Sequence, residues 1–278
     1  MIKAILIITR PVNVLITALS VYLSGIISFN QYYDRYLLVA AISAGLIAGF
    51  GNITNDIFDI NIDRRAKPFR PLPSGTLSIR SAVLLAMTLV ATGIILSGFI
   101  GDLCLLIASV TAISLLAYTP AFKGKAYWGN MLVAFISALA FFYGAAAVGN
   151  VDGGLIPAIF AFLFHLIREI IKDMEDWEAD KAEGVMTGAV RHGVDFSRNL
   201  AMLFAAILII TTMIPYITGI YHTWYLITVI AGCDVFLLLI IITLLISSSP
   251  RVCRFIASFM KALMPLGLLA VFLGSRGL

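Results

Sequence analysis

Long apolar runs alternate with short polar segments along nearly the whole chain. Each run is about 20 residues long, which is the length that an α-helix needs to cross the hydrocarbon core of a bilayer. The apolar residues cover every side of these predicted helices, as is typical of helices that face lipid. The pattern predicts nine spanning helices, at residues 11–29, 36–55, 80–100, 102–121, 128–149, 154–172, 198–219, 223–248 and 254–275.

The composition agrees with a membrane protein. Of 278 residues, 61% are hydrophobic and 12% are charged. A soluble domain has about twice that charged fraction, because it must cover its surface with polar groups. The sequence therefore predicts an all-α integral membrane protein that forms a single transmembrane domain over residues 1–278.

Basic residues predict the orientation in the membrane. Of the 19 Lys and Arg residues, 17 lie in the N-terminus, in the loops after spans 2, 4, 6 and 8 or at the adjoining helix ends. The other two are Arg35 and Arg276. Because cytoplasmic loops are enriched in Lys and Arg, we expect the N-terminus and these loops to be cytoplasmic and the C-terminus to lie outside the cell membrane. The net charge of +4 then reflects topology and whatever the basic loops bind, so no nucleic-acid partner is expected.

A first acidic cluster begins where span 2 ends, in the sequence NDIFDINID at residues 55–63. Asn55, Asp59 and Asp63 are four residues apart and share one face of a helix, with Asp56 on a neighbouring face. Like charges one turn apart destabilise a helix. A Mg²⁺ ion would remove this repulsion, since it prefers oxygen ligands and often links carboxylates to substrate phosphates.

A second acidic cluster follows span 6. Asp173, Asp176 and Asp180 have the spacing i, i+3, i+7 and again share one helix face. An ordinary acidic loop is the alternative for either cluster alone. Two such clusters at matching depth, each close to basic residues, instead favour a site at the cytoplasmic side for magnesium and a pyrophosphate. The predicted metal ligands are Asn55, Asp56, Asp59, Asp63, Asp173, Asp176 and Asp180.

Several cations near the acidic clusters are candidates for binding phosphate oxygens, which Arg and Lys recognise well. Arg70 follows the first cluster, Lys123 follows span 4, and Arg168 and Lys172 precede the second cluster. Positive-inside topology is the competing explanation for each of them. The prolines of the segment 68–73 predict a helix end followed by an extended chain that holds Arg70 over the site, and a simple rigid connector is the alternative.

Other polar residues lie at or inside the predicted spans. Arg10, with Asn13 close behind it, marks the membrane interface or holds an anionic acceptor. Asn130 requires a polar partner because it falls inside span 5, and Asp234 is expected to be a structural hydrogen-bonding group in span 8.

Four motifs together carry a resemblance to a known family. They are N-D-x-x-D-x-x-x-D at 55–63, R-P-L-P-S-G at 70–75, Y-x-x-x-x-K at 118–123 and D-x-x-D-x-x-x-D at 173–180. In this combination the chain resembles the UbiA superfamily of intramembrane prenyltransferases over nearly its whole length. The resemblance implies nine transmembrane helices around a central cavity that is capped on the cytoplasmic side and open laterally to lipid.

The resemblance also implies roles for individual residues. Asn55, Asp59, Asp63, Asp176 and Asp180 would bind Mg²⁺ and the diphosphate of a prenyl donor, with Asp56 and Asp173 as accessory ligands, and Arg70, Lys123 and Tyr118 would face the diphosphate. The predicted catalytic residues are Asp59, Asp63, Asp176, Asp180 and Lys123. The predicted substrate-binding residues are Arg10, Asn13, Arg70, Tyr118, Lys123, Arg168 and Lys172.

Within the family, REIIKDMED at 168–176 and AKPFRPLPSG at 66–75 look most like the digeranylgeranylglyceryl-phosphate synthase branch. That branch transfers a geranylgeranyl group to the secondary hydroxyl of geranylgeranylglyceryl phosphate in ether-lipid synthesis. Family members often have Gly-Asp in the second motif and KTLP after it, whereas this chain has Ala179-Asp180 and VMTGAVRHG. The acceptor is therefore a lipid phosphate or another hydrophobic molecule, such as an aromatic acid or a quinone precursor.

Two other classes of membrane protein are less compatible with the sequence. A cation transporter would place acidic residues midway across its spans, but here only Asp234 lies well inside one. A phosphotransferase that uses a CDP-linked donor would carry a D-G-x-x-A-R signature, which the chain lacks.

Overall fold

The computed structural model describes residues 2–29 and 35–275, and almost all of them are helical. Short π-helical turns at Tyr118–Phe122 and Ile230–Asp234 and a 3₁₀ turn at Val151–Gly154 extend neighbouring helices. The α-helices of the described residues are α1 (Ile2–Thr9), α2 (Pro11–Phe29), α3 (Arg35–Phe58), α4 (Ile60–Ala66), α5 (Ile79–Ile100), α6 (Asp102–Ala117), α7 (Tyr127–Ala147), α8 (Leu155–Ala182), α9 (Gly188–His192), α10 (Val194–Ile217), α11 (Thr223–Val229), α12 (Val235–Ile246) and α13 (Pro250–Ser275).

Nine helices in the described part of the chain are long and apolar enough to span a membrane, and each corresponds to one predicted span. Their bounds are Pro11–Phe29, Arg35–Phe58, Ile79–Ile100, Asp102–Phe122, Tyr127–Ala147, Val151–Ala182, Val194–Ile217, Thr223–Ile246 and Pro250–Ser275. The predicted all-α membrane architecture is confirmed. The sixth helix is longer than predicted, because it continues through the acidic segment to Ala182 instead of ending at residue 172. Arg276, which entered the orientation argument, lies outside the described residues.

The chain divides into two compact units. Unit 1 contains Met1–Ala121 and Leu139–Gly154, and unit 2 contains Phe122–Ala138 and Leu155–Leu278. The first half of α7 therefore belongs to unit 2 and its second half to unit 1. The expectation of a single domain over residues 1–278 stays a prediction.

In unit 1, helix α3 packs against α1, α2, α5 and α6. Close approach of backbones is a feature of this unit, as is common where membrane helices pack through small residues. A Cβ atom added at Gly144 would lie 2.1 Å from the carbonyl oxygen of Val21. In the same contact, Ser24 Oγ donates a hydrogen bond of 2.6 Å to the carbonyl oxygen of Phe141. The second half of α7 is thus fixed to α2.

In unit 2, helix α8 packs against α9, α10 and α13. Asp234 is buried in the π-helical turn between α11 and α12, and both of its carboxylate oxygens lie 3.1 Å from the hydroxyl of Thr212 on α10. Tyr225 donates to the backbone oxygen of Thr212 at 2.7 Å. These contacts give Asp234 the structural hydrogen-bonding role expected for it.

Candidate functional site

The first acidic cluster lies at the junction of α3 and α4 in unit 1. The α-helix is interrupted at Asp59, but the i→i−4 backbone bonds continue from Asp59 N to Asn55 O at 2.9 Å and from Asp63 N to Asp59 O at 2.8 Å. Because this pattern persists, the three predicted ligands stay one above the other, as their spacing indicates. Asp56, Asp59 and Asp63 are all buried.

Side-chain hydrogen bonds hold Asn55 in this cluster. Asn55 Nδ2 donates to Asp59 Oδ2 at 3.1 Å, and Asn55 Oδ1 accepts from Thr119 Oγ1 at 3.0 Å. Thr119 lies in the π-helical turn that follows α6, next to the predicted site residue Tyr118, which is half-buried. The sequence did not identify Thr119 as a residue of the site. Its only indication was its position next to Tyr118 at the end of span 4.

Two arginines neutralise part of the charge of the first cluster. Arg70 Nη1 lies 2.6 Å from Asp63 Oδ2 and 3.4 Å from Asp56 Oδ1, and Arg10 Nη2 also pairs with Asp56 Oδ1. Arg10 and Arg70 thus provide counter-charges for Asp56 and Asp63. A cluster of carboxylates such as this one is suited to a divalent cation.

The loop that carries Arg70 is folded into turns, so the expectation of an extended chain around Pro71 and Pro73 is wrong. Ser74 N donates to Arg70 O at 3.0 Å, and Leu77 N donates to Pro71 O at 3.0 Å. The physical reason is that the φ angle of proline also suits the second position of a β-turn. Burial of the Leu72 and Leu77 side chains in the hydrophobic core of unit 1 then stabilises the compact form. Gly75 ends this compact segment with a φ of +72°, in the left-handed region that glycine adopts readily.

Arg10 lies between α1 and α2 with a φ of +52°, which is uncommon for a residue with a side chain. Asn52 Nδ2 of α3 donates to the backbone oxygen of Thr9 at 2.9 Å, which ties the junction to the helix that carries Asp56. Asn13 lies in the first turn of α2, and its N–H donates to Arg10 O at 2.9 Å. Arg10 therefore belongs to the acidic cluster, and Asn13 lies one turn away from it.

The second acidic cluster lies on α8 in unit 2. The helix is continuous through the cluster, so Asp173, Asp176 and Asp180 share the predicted face. Asp173 Oδ2 accepts a hydrogen bond of 3.0 Å from Nδ2 of the buried Asn130, which supplies the polar partner that Asn130 requires. Lys123 lies in the turn before α7, and its ammonium group is within electrostatic range of the Asp180 carboxylate.

The two cations that precede Asp173 share one buried carboxylate. Glu169 Oε1 accepts from Arg168 Nη1 at 2.8 Å, and Glu169 Oε2 accepts from Lys172 Nζ at 3.0 Å. Arg168 Nε also donates to the backbone oxygen of Ala257 in α13 at 3.2 Å. Together, these three residues carry a net charge of +1. Of the two cations, the Lys172 side chain is the more exposed.

The donor atoms of both clusters suit Mg²⁺. Within the part of the chain that the structure describes, no three Asp, Glu, His or Cys side chains form a ready-made metal cage. Mg²⁺ does not require one, because it usually keeps several waters and binds one or two carboxylates together with substrate phosphates. The amide oxygen of Asn55 and the carboxylates of Asp59 and Asp63 are hard oxygen donors stacked along one face, so these residues fit a Mg²⁺ ion.

Comparisons with known proteins agree over most of the chain. Residues 13–263 match the UbiA prenyltransferase family. The chain is 36% identical over 276 residues to digeranylgeranylglyceryl phosphate synthase of Methanococcus aeolicus, covering 99% of this chain and 98% of the relative. It is also 36% identical over 232 residues to the relative of the same name from Saccharolobus solfataricus, covering 82% of each chain.

Solved structures show the same fold. One of digeranylgeranylglyceryl phosphate synthase is 32% identical and superposes with a TM-score of 0.83 over 100% of this chain and 99% of the other. A UbiA homologue from Archaeoglobus fulgidus bound to GPP and Mg²⁺ is 20% identical, with a TM-score of 0.67 over 96% of this chain and 99% of that one. The chain therefore belongs to the UbiA prenyltransferase family and is a multi-pass membrane prenyltransferase.

Proposed function

We propose that this enzyme transfers a geranylgeranyl group from its diphosphate to the secondary hydroxyl of geranylgeranylglyceryl phosphate, in a reaction that needs Mg²⁺. The observation that carries the proposal is the 36% identity, over 99% of the chain, to a relative named digeranylgeranylglyceryl phosphate synthase. Mg²⁺ in the A. fulgidus homologue supports the choice of metal, and the donor atoms of the acidic clusters support it independently.

Both acidic clusters are proposed to hold the donor's diphosphate through magnesium. Bound Mg²⁺ would stabilise the negative charge that develops on the leaving group. The proposed ligands are Asn55, Asp59, Asp63, Asp176 and Asp180. Asp56 and Asp173 are accessory ligands in this proposal, and their oxygens accept hydrogen bonds from Arg10 and Asn130.

Cationic and phenolic side chains are proposed to bind the phosphate oxygens that magnesium leaves uncovered. Arg70 would exchange its contacts with Asp63 and Asp56 for the diphosphate, since a guanidinium group binds either anion through a pair of N–H donors. Lys123 and Tyr118 would complete this set. As the bond between C1 and oxygen breaks, these groups hold the leaving pyrophosphate while the acceptor oxygen attacks C1 and passes its proton to a carboxylate of the site.

The proposed acceptor also carries a phosphate group, and binding this group requires further cationic side chains. Arg168 and Lys172 are the proposed partners, because Glu169 fixes both and leaves one positive charge in excess. Arg10 and Asn13 lie beside the first cluster and are a further place for an anionic acceptor group. In the cell membrane we place this end of the enzyme, with the N-terminus, on the cytoplasmic side and the C-terminus outside, in agreement with the distribution of Lys and Arg.

A transfer assay with a panel of acceptors tests the proposal. Membranes that contain the enzyme are supplied with labelled geranylgeranyl diphosphate, Mg²⁺ and either geranylgeranylglyceryl phosphate, geranylgeranylglycerol or 4-hydroxybenzoate. We expect label to enter the phosphorylated lipid at least about 100-fold faster than the other two, because a site built to bind a phosphate loses that binding energy when the group is missing.

The acceptor that receives the label decides between the alternatives. Preferential labelling of 4-hydroxybenzoate would contradict the proposed acceptor while leaving the prenyltransferase class intact. Equal rates with the phosphorylated and unphosphorylated lipids would contradict the phosphate-binding role of Arg168 and Lys172.

A further inference from the structure

The segment that follows the second acidic cluster folds back onto the start of α7. Val185 N donates to Asp180 O at 2.8 Å, which closes the end of α8. Two residues further on, Thr187 forms a parallel β-bridge with Ala126, and Ala126 N donates to Met186 O at 2.8 Å. Two segments that are about 60 residues apart in sequence are therefore paired directly through their backbones.

The aromatic ring of Tyr127 packs into this pairing. A Cβ atom added at Gly188 would lie 2.2 Å from Cε1 of Tyr127, so the ring rests directly on the backbone of α9. On α9 the ring also stacks on His192, with 5.7 Å between ring centroids and an interplanar angle of 13°. The Tyr127 hydroxyl lies 3.1 Å from Ser197 Oγ of α10. We refer to Ala126, Tyr127, Thr187, Gly188 and His192 as the Tyr127 joint.

The joint holds the backbone in an unfavourable conformation. Ala126 has a φ of +37°, in a region that is unfavourable for a residue with a side chain. Such a conformation persists only where the surrounding contacts impose it. Here those contacts are the bridge to Thr187 and the packing of the neighbouring Tyr127 ring.

The joint connects two charged groups that the proposed function uses. Lys123 lies three residues before Ala126, in a turn where Lys125 N donates to Phe122 O at 2.9 Å, and Asp180 lies seven residues before Thr187. The Lys123 ammonium and the Asp180 carboxylate are within electrostatic range of each other. The joint pairs the segment that follows Asp180 and the end of α8 with the segment that follows the Lys123 turn.

We infer that Tyr127 and Gly188 are positioning residues, which fix the position of the Lys123 turn relative to the end of the helix that bears Asp180, so that both groups act on the same donor diphosphate. The inference rests on the proposed diphosphate role of Lys123 and the proposed metal role of Asp180. Neither Tyr127 nor Gly188 needs to touch the donor. Their effect comes from the geometry of the two segments, and a small displacement of a binding group can lower activity strongly.

Two matched glycine substitutions test the inference. Gly188→Ala forces the Tyr127 ring to move, whereas a Cβ atom added at Gly124, in the Lys123 turn itself, would meet no atom within 4 Å. Binding of geranylgeranyl diphosphate in the presence of Mg²⁺ is measured with the purified full-length protein in detergent. We expect Gly188→Ala to raise the donor Kd about tenfold or more and Gly124→Ala to leave it unchanged.

A disulfide distinguishes positioning from general loss of stability. Ala126→Cys and Thr187→Cys place two thiols across the β-bridge, where neighbouring Cα atoms are close enough for a disulfide. In the Gly188→Ala background, the oxidised double-cysteine protein is expected to recover the wild-type donor Kd and to lose it again on reduction. The Ala126→Cys variant alone, in the same background, is expected to recover nothing.

Several outcomes would overturn the inference. One is an unchanged donor Kd in Gly188→Ala, and another is a disulfide that restores the Tm of this variant without restoring its donor Kd. Should Gly188→Ala fail to fold, Tyr127→Leu removes the ring without adding an atom at Gly188, and the same rise in Kd and the same rescue are expected. Absence of Mg²⁺-dependent donor binding by the wild-type protein would instead contradict the proposed function.

Discussion

Replacing Asp59 with alanine is expected to lower kcat at least about 1,000-fold while leaving folded protein in the membrane. Asp59 is buried at the centre of the first cluster, within hydrogen-bonding distance of Asn55. Its loss would remove a magnesium ligand, so that charge on the leaving pyrophosphate would no longer be stabilised. Asp180→Ala is expected to have the same effect from the second cluster.

The measurement is kcat for prenyl transfer by each purified variant, with the Tm as a check of folding. Asp102→Ala is the matched control, because Asp102 is an exposed aspartate in the first turn of α6 and belongs to neither cluster. We expect the control to keep wild-type activity. Wild-type activity in Asp59→Ala or in Asp180→Ala would contradict the assignment of that cluster.

Replacing Arg70 with alanine is expected to affect both stability and catalysis. Without ligand, Asp63 loses its 2.6 Å partner and Asp56 loses one of two, which should lower the free energy of unfolding by about 2 kcal/mol. With substrate, the diphosphate loses a bidentate cation, and kcat/KM for the donor should fall about 100-fold. Arg70→Lys keeps the positive charge but loses the forked pair of N–H donors. Its free energy of unfolding and its kcat/KM should therefore lie between those of the wild-type enzyme and those of Arg70→Ala.

Thermal unfolding and steady-state kinetics of the same preparations separate the two roles of Arg70. Arg65→Ala is the control, because Arg65 is exposed on the neighbouring helix α4, and we expect neither quantity to change in it. A fall in Tm with unchanged kcat/KM would show that Arg70 only neutralises Asp63 and Asp56, against the proposed diphosphate role.

The sequence alone predicted the elements of the fold well, because their causes are local. A run of apolar residues long enough to cross a bilayer has few stable alternatives to a helix, so all nine predicted spans correspond to helices among the described residues. The faces of the acidic clusters follow from helical periodicity in the same way. The i→i−4 bonds through Asp59 and Asp63 keep this periodicity even where α3 ends.

The partners of the site residues could not be predicted, because they depend on contacts between distant parts of the chain. Nothing local indicates that Thr119 bonds Asn55 or that Tyr127 packs on Gly188. The loop around Pro71 was mispredicted for a related reason. Proline fixes its own φ but is compatible with both extended chain and turns, and burial of leucine side chains decided between them.

The sequence also did not predict which buried carboxylates the cations contact. Positive-inside topology accounts for a basic residue near a membrane surface without saying what it contacts. The structure shows Arg10 and Arg70 on the carboxylates of the first cluster, and Arg168 and Lys172 on Glu169. These contacts give the candidate site counter-charges from the chain itself.

The most direct measurement is electron paramagnetic resonance of the enzyme loaded with Mn²⁺ in place of Mg²⁺, with and without a non-reactive analogue of the donor. If both acidic clusters serve one diphosphate, the analogue should bring Mn²⁺ ions held by the two clusters close enough for spin coupling. Asp59→Ala and Asp180→Ala should each abolish the coupling. Magnetically isolated Mn²⁺ ions in the wild-type complex, or a coupled pair that survives either substitution, would contradict a shared site.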